Sequence, residues 1–174
     1  MNMIVAFCRN RGIGYKNKIP WHLPNELKYF KNTTTNGDNN TVIMGKNTWD
    51  SLKYKPLKGR KNIILSSTIK DNDIKNYKNT SVFPNYESLD NEIDNMLINN
   101  EKIWLIGGNS IYDNYIKHPK LEYIYITCIQ ENFVTDVKFP KLPKHYQIID
   151  SSRLFFENNL HYYHKLYKNK NKNY

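Results

Sequence analysis

IGYKNKIPWHLPNELKYF, residues 13–30, opens as a glycine-punctuated loop and ends as a helix. Pro24 fits a first helical position, where its missing N–H costs nothing. Leu27 and Phe30 then lie on one helical face at a spacing of three, and Glu26 projects near that apolar face. Because a carboxylate facing apolar side chains is a candidate for a raised pKa, we interpret Glu26 as a candidate for proton transfer.

Glu26 also has a purely structural interpretation. Acidic residues are common in the first turn of a helix, where they satisfy free N–H groups and the helix dipole. The preceding residues favour the functional interpretation, because two prolines and Trp21 stiffen the approach to the acid. We therefore predict a rigid, aromatic pocket wall that leads to a buried acid.

The composition indicates one intracellular globular domain. The chain has 174 residues, is 39% hydrophobic and carries a formal charge of +10, which attracts anions such as nucleic acids or phosphorylated and carboxylated small molecules. Its lysines are scattered except at the C-terminus, so a dedicated nucleic-acid groove ranks low. Cys8 and Cys128 lack CxxC spacing and predict reduced, buried thiols. We expect a cytoplasmic protein without a signal peptide or membrane span.

The pattern of apolar runs predicts an α/β fold. Strands are predicted at 3–8, 41–45, 61–67, 80–83, 102–106 and 121–129. Helices are predicted from Pro24, from Lys46, over 86–99 and after Gly108, whereas 70–79 is predicted as a loop. Alternating strands and helices favour a largely parallel sheet. Segments 147–156 and 161–167, joined by 157–160, predict an antiparallel hairpin at the sheet edge, and 168–174 a basic, frayed tail.

Two strand-to-helix junctions have the composition of phosphate sites. Gly45 precedes Lys46 and Thr48, and Gly107-Gly108 precedes the next helix. Glycines allow close backbone approach, and helix N-termini offer N–H groups to an anion. Such junctions also occur without a ligand, and the absence of G-x-G-x-x-G argues against a standard dinucleotide fold.

The histidines show no metal-ligand spacing. His118, His145, His161 and His164 are predicted to be surface or hairpin residues.

The order of these segments resembles dihydrofolate reductase over almost the whole chain. The motifs that carry the resemblance are residues 14–30, VIMGKNTW at 42–49, PLKGRKNIILSS at 56–67, IGG at 106–108, the strand that holds Thr127, and TDVKFP at 135–140. The resemblance implies one domain over 1–174, with a mostly parallel sheet of about eight strands, an antiparallel C-terminal edge hairpin and about four helices. It also implies NADPH-dependent reduction of dihydrofolate to tetrahydrofolate for one-carbon metabolism, by a monomer without nucleic-acid or membrane partners.

The resemblance assigns the substrate site residue by residue. Glu26 would be the acid that hydrogen-bonds the pterin and assists protonation of N5, Trp21 would hold water near it, and Thr127 would hydrogen-bond it. Arg60 would pair with the α-carboxylate of the glutamate tail. The other implied substrate contacts are Ile4 and Ile106 through their carbonyls, with Val5, Leu27, Phe30, Leu52 and Leu57.

The resemblance assigns the NADPH site to the glycine junctions and their neighbours. Backbone contacts to the nicotinamide would come from Ala6 and Ile13, and Tyr112 would lie beside that ring. The phosphates would be held by Lys46, Thr48, Ser66 and Ser67 and capped by Gly107, Gly108, Asn109 and Ser110. Further implied contacts are Gly14, Asn47 and Ile111. A cis Gly107–Gly108 peptide and a lid formed by residues 12–23 are also expected.

The sequence departs from the family pattern at one position, and two alternative functions stay open. Some family members carry an arginine where this chain has Ser110, which moves the preference for NADPH over NADH onto Lys46 and Ser67. One alternative is a reductase of a ribosylated pyrimidine on the same fold, although Trp21, Glu26 and Arg60 are not expected there. The other is a basic nucleic-acid-binding module or inactive scaffold, which the charge favours slightly.

Overall fold

The computed structural model describes residues 1–171. Its helices are α1 Pro24–Thr34, α2 Lys46–Ser51, α3 Asp71–Ile74, α4 Tyr86–Ile98 and α5 Asn109–Tyr115. Its strands are β1 Asn2–Cys8, β2 Gly12–Gly14, β3 Asn40–Gly45, β4 Lys61–Leu65, β5 Thr80–Phe83, β6 Lys102–Leu105, β7 Tyr123–Ile129, β8 Val137–Lys138, β9 Tyr146–Ser151, β10 Phe155–Glu157 and β11 Leu160–Asn169.

A mixed sheet forms the centre of the protein. Its strand order is β10-β11-β7-β1-β6-β3-β4-β5, and β9 shares the outer edge of β11 with β10. The pairs from β7 through β5 are all parallel, whereas β11 runs antiparallel to β7, β9 and β10. The predicted α/β class, with a mostly parallel sheet and antiparallel C-terminal strands, is confirmed.

Successive side chains of the inner strands point to opposite faces of the sheet, which divides the core into two layers. Met3 and Val5 of β1 point to one side, and Ile4 points to the other. Helices α4 and α5 cover the first side, whereas α1, α2 and α3 cover the second. Since successive side chains of a strand face opposite ways, a continuous apolar run is what a sheet covered on both faces requires.

The C-terminal strands differ from the prediction in detail. The segment predicted as one strand over 147–156 is broken into β9 and β10 by residues 152–154. Asn158 and Asn159 both have positive φ, 49° and 60°, which suits the two-residue turn that joins β10 to β11. The hairpin lies at the edge of the sheet, as predicted: β10 and β9 form the outer edge, and β11 lies between them and β7.

Two further boundaries are corrected. Residues 71–74 form the short helix α3 within the predicted loop, with the Lys70 N–H donating to the Asp73 carboxylate at 2.8 Å. Strand β11 continues through Asn169, which is buried, so the first residues of the predicted tail are paired in the sheet. Residues 172–174 of that tail lie outside the described part of the chain.

The segment predicted as a lid is tied down at its base. Strand β2 pairs with β8, and Tyr15 and Lys18 exchange two backbone hydrogen bonds of 2.9 and 3.0 Å around a tight turn. Ile19 beyond this turn is 59% exposed.

Within residues 1–171, no helix is long and apolar enough to cross a membrane.

Candidate active site

Helix α1 carries the acid, and the C-terminal hairpin caps that helix. Pro24 occupies the start of α1, as predicted, and Leu23 before it provides no side-chain cap. The cap comes instead from Glu157 of β10, whose carboxylate accepts the Asn25 N–H at 3.0 and 3.1 Å. A carboxylate at a helix N-terminus also complements the helix dipole. Residues 132 positions apart in sequence therefore set the start of the helix.

Glu26 is a buried acid whose pKa lies close to neutral pH. Its side chain is only 7% exposed, and Thr127 Oγ1 donates a hydrogen bond of 3.1 Å to its Oε1. Burial raises the pKa of Glu26 to about 7, the Thr127 hydrogen bond acts in the opposite direction, and the nearby Glu157 charge adds a further rise. Near neutral pH the group can therefore hold or release a proton.

A row of three side chains lies across the sheet beneath this acid. Ala6 of β1 pairs with Thr127 of β7, which pairs in turn with His164 of β11. Directly paired residues project from the same face. His164 Nδ1 lies 3.0 Å from Thr127 Oγ1, and the imidazole stacks on Tyr29 of α1 with 3.7 Å between ring centroids.

His164 lies within the predicted hairpin, in β11, but its position next to the acid was not predicted. Its side chain is partly buried, and burial lowers its pKa to about 4. The register that brings it to Thr127 depends on the pairing of β11 with β7, and no local signal in the sequence reports that pairing. His161, three residues closer to the hairpin tip on the same strand, is exposed as predicted.

An apolar cluster adjoins Glu26 on the α1 side of the sheet. It unites five of the residues assigned to the substrate, namely Ile4, Phe30, Leu52, Leu57 and Ile106. Leu27 is 51% exposed and does not join this cluster. The Val5 side chain packs on the opposite face of the sheet, so only its backbone is available on this side.

The carbonyl of Ile4 has a partner within the protein. The Tyr112 hydroxyl donates to it at 2.9 Å, and burial raises the pKa of Tyr112, with the Glu26 charge as a second cause. A carbonyl oxygen has two lone pairs, so the Ile4 oxygen can still accept another donor.

Arg60 is a buried cation without an acidic partner in residues 1–171. It is 7% exposed, its guanidinium donates to Thr34 Oγ1 at 2.7 Å and to the Lys58 carbonyl at 3.2 Å, and it lies 5.8 Å from the centre of the Phe30 ring. The Asn62 side chain positions the turn before it through bonds to Leu57 and Arg60 backbone groups. A buried guanidinium with free N–H groups suits a carboxylate ligand.

The two glycine junctions meet at the carboxyl ends of β3 and β6. The Gly45 N–H donates to the Gly107 carbonyl at 2.8 Å, and the Gly107–Gly108 peptide is cis, as expected. A Cβ at Gly108 would lie 3.2 Å from Thr48 Oγ1, and one at Gly107 would lie 2.9 Å from the Tyr112 hydroxyl. The Tyr112 ring therefore leaves no room for a side chain at Gly107, and Thr48 crowds one at Gly108.

The polar residues around these junctions differ in whether they already have hydrogen-bond or ion-pair partners within the protein. Lys46 forms an ion pair with Asp50, and Ser66 Oγ accepts the N–H groups of Thr68 and Ile69 at 3.2 and 3.1 Å. Asn109 Oδ1 is buried and lacks a hydrogen-bond partner within the described residues. The residues assigned to the cofactor that are exposed are Lys46, Asn47, Ser67 and Ser110.

The other assigned residues lie in β2, in the segment between β2 and α1, and in α5. Trp21 packs edge-on against Phe133 at 5.5 Å between ring centroids and belongs to a small cluster around Leu23. Ile13 packs against the core layer under α4 and α5, where the Ile111 side chain is fully buried. The Gly14 carbonyl accepts the Asp136 N–H at 3.1 Å.

Comparison with known proteins identifies one family. A family model described as dihydrofolate reductase matches residues 1–169. The chain is 35% identical to a dihydrofolate reductase of Heliothis virescens, over 97% of this chain and 96% of that protein. It is 40% identical to one of Buchnera aphidicola, covering 81% and 79% of the two chains, and 36% identical to one of Gallus gallus, covering 82% and 78%.

Proposed function

The chain belongs to the dihydrofolate reductase family of oxidoreductases, and we propose that it reduces 7,8-dihydrofolate to 5,6,7,8-tetrahydrofolate with NADPH. The observation that carries this proposal is the buried Glu26, with a pKa of about 7, beside an apolar cluster. Such an environment suits a flat heteroaromatic ring whose faces pack on apolar side chains and one nitrogen of which must be protonated.

Glu26 supplies the proton chemistry in this proposal. As a carboxylate it accepts hydrogen bonds from the pterin amino group and N3, and as a neutral acid it holds the proton that reaches N5 through water. Thr127 fixes the orientation of the carboxyl group through Oε1. A pKa near the working pH supports this role, because the group then exchanges protons readily in both directions.

Arg60 supplies the recognition of the substrate's acidic tail. Its bond to Thr34 and its contact with Phe30 orient the guanidinium while other N–H groups stay available. A bidentate pair with the tail α-carboxylate would compensate the burial of the cation. Ile4, Phe30, Leu52, Leu57 and Ile106 support the proposal as the apolar walls against which the rings pack.

The residues at the glycine junctions fit NADPH. The side-chain-free backbone of Gly107 and Gly108 and the buried Asn109 Oδ1, which lacks a partner within the described residues, support a ligand that approaches the backbone closely and offers a donor. When bound, NADPH supplies the hydride that C6 of the substrate accepts. Lys46, Thr48 and Ser67 would hold its phosphates, and binding requires Lys46 to turn from Asp50 or to share its charge.

The metabolic setting follows from this reaction. We propose that the product supplies one-carbon units for thymidylate and purine synthesis in the cytoplasm. The monomeric state and the absence of nucleic-acid partners remain predictions.

The experiment is oxidation of NADPH, followed by its absorbance, with and without dihydrofolate. Oxidation should require dihydrofolate, and Glu26→Ala should reduce turnover at neutral pH by about 10²-fold or more while NADPH binding stays unchanged. Glu131→Ala, at an exposed acid, is the matched control and should keep full activity.

Two outcomes would contradict the proposal. If NADPH binds but dihydrofolate does not accelerate its oxidation, the substrate is a different reducible compound. If Glu26→Ala retains turnover and loses NADPH binding, the acid belongs to the cofactor site.

A further inference from the structure

His164 forms the outer end of a hydrogen-bonded series with Thr127 and Glu26. The two bonds of this Glu26–Thr127–His164 series measure 3.1 and 3.0 Å and both end on Thr127 Oγ1. Thr127 is 1% exposed and Glu26 is 7% exposed, so water has little access to the inner bond. The established family activity accounts for the acid, but the histidine has no role in the function proposed above.

The direction of the two bonds follows from the chemistry of the hydroxyl. Thr127 has one hydrogen, and it donates this hydrogen to Glu26 Oε1. His164 Nδ1 must then carry a hydrogen and donate it to Thr127 Oγ1. Because His164 is neutral at pH 7, it is the Nδ1–H tautomer, and its Nε2 has no hydrogen-bond partner within residues 1–171.

We propose that His164 is a positioning residue that stabilises the ionised form of Glu26 through the hydroxyl of Thr127. Hydrogen bonds in series polarise one another, so a donor behind the threonine oxygen strengthens the bond that its hydrogen makes to a carboxylate. A neutral carboxyl group gains less from the same donor. The imidazole therefore opposes the effect of burial on the acid. This inference deepens the proposed function and rests on it for the role of Glu26.

The other side of His164 faces a cavity behind α1. This cavity, of about 580 Å³, is lined by His164 and by Tyr29, Tyr125 and Phe155, among others, and by none of the residues assigned to the substrate. It keeps the imidazole within reach of solvent. Titratable and charged groups around the series are Lys28, Tyr29, Tyr112, Tyr125, Asp150, Glu157, Tyr162 and Lys165.

Two substitutions at position 164 separate hydrogen bonding from packing. His164→Phe keeps the ring that stacks on Tyr29 but removes the donor. His164→Asn loses the ring but places an amide nitrogen where Nδ1 lies. All groups around the series are the same in both variants, so their effects cancel in the comparison.

The measurement is the titration of the Glu26 carboxyl carbon by ¹³C NMR in the substrate-free protein, assigned with Glu26→Gln. His164→Phe should raise the midpoint by about 0.2–0.6 pKa unit, since a donor in series strengthens a charge-assisted hydrogen bond by about 10–30%. His164→Asn should leave the midpoint near the wild-type value. In a Thr127→Val background, His164→Phe should cause no further shift. A rise in His164→Asn without one in His164→Phe, or the same rise in the Thr127→Val background, would overturn the inference.

The tautomer of His164 provides a test that needs no variant. The ¹⁵N shifts of wild-type protein above pH 7 should show hydrogen on Nδ1, and hydrogen on Nε2 alone would refute the proposed direction. Neither NMR experiment uses dihydrofolate. If the titrations behave as expected but dihydrofolate is not reduced, the proposed function fails and the inference about His164 stands. If dihydrofolate is reduced but the titrations do not differ, only the inference fails.

Discussion

The burial of Glu26 makes the stability of the fold depend on pH, and Glu26→Gln should remove that dependence. The folded-state pKa of about 7 lies above the ordinary value of 4.5, so the folded protein binds this proton more tightly than the unfolded chain does. The stabilisation is therefore complete below pH 4.5 and is lost as the pH rises through 7. A shift of about 2.5 units corresponds to about 3 kcal/mol at alkaline pH.

The stability gained by Glu26→Gln should accordingly grow with pH. Linkage predicts an increase of about 2.5 kcal/mol in the difference between variant and wild type from pH 5 to pH 9. For a chain of this size, that corresponds to roughly 5–10 °C in Tm. The pH-independent cost of placing an amide beside Thr127 is the same at both pH values and cancels from this difference.

The assay is urea unfolding of both ligand-free proteins at several pH values between 5 and 9. Glu131→Gln, at an exposed position, is the matched control and should track the wild type throughout. A difference between Glu26→Gln and wild type that stays constant with pH would refute the reasoning, because it would mean that burial does not perturb the acid.

Three further substitutions test the neighbouring contacts. Arg60→Lys replaces a planar fork by a point charge, so KM for dihydrofolate should rise about tenfold in steady-state kinetics with kcat little changed, and an unchanged KM would contradict the carboxylate assignment. Glu157→Gln weakens the cap of α1 and should cost about 1 kcal/mol in urea unfolding, while the ¹³C midpoint of Glu26 should fall because a like charge is removed; a rise would contradict this. Gly12→Ala places a Cβ 2.3–2.7 Å from the Thr135 side chain and should destabilise the fold by about 1–3 kcal/mol, part of which Thr135→Ala should restore if the clash is the cause.

The inner strands and α1 were predictable because their signals are local. The apolar runs that became β1, β3 and β6 alternate between two core layers, and a parallel sheet covered on both faces needs that continuity. Pro24 marked the start of α1, and the apolar neighbours of Glu26 indicated its raised pKa. These features depend on residues that are neighbours in sequence or along one helix.

The contacts that control the acid were less predictable because they join distant segments. The Glu157 cap on α1 spans 132 residues and the Thr127–His164 bond spans 37. Each depends on strand register, and a shift of one residue would turn His164 to the other face of the sheet. The break between β9 and β10 likewise follows from pairing with β11 rather than from a local signal.

The sequence by itself therefore determined the α/β class, the acid and the glycine junctions, because periodicity, proline position and glycine content act over a few residues. The hydrogen bond from Thr127 was expected from the resemblance, and only the tertiary structure decided the rest of the acid's surroundings: the His164 imidazole behind Thr127 and the Glu157 charge at the helix start. The physical reason is that a pKa depends on burial and on neighbours in space, and those are set when β7, β11 and α1 come together.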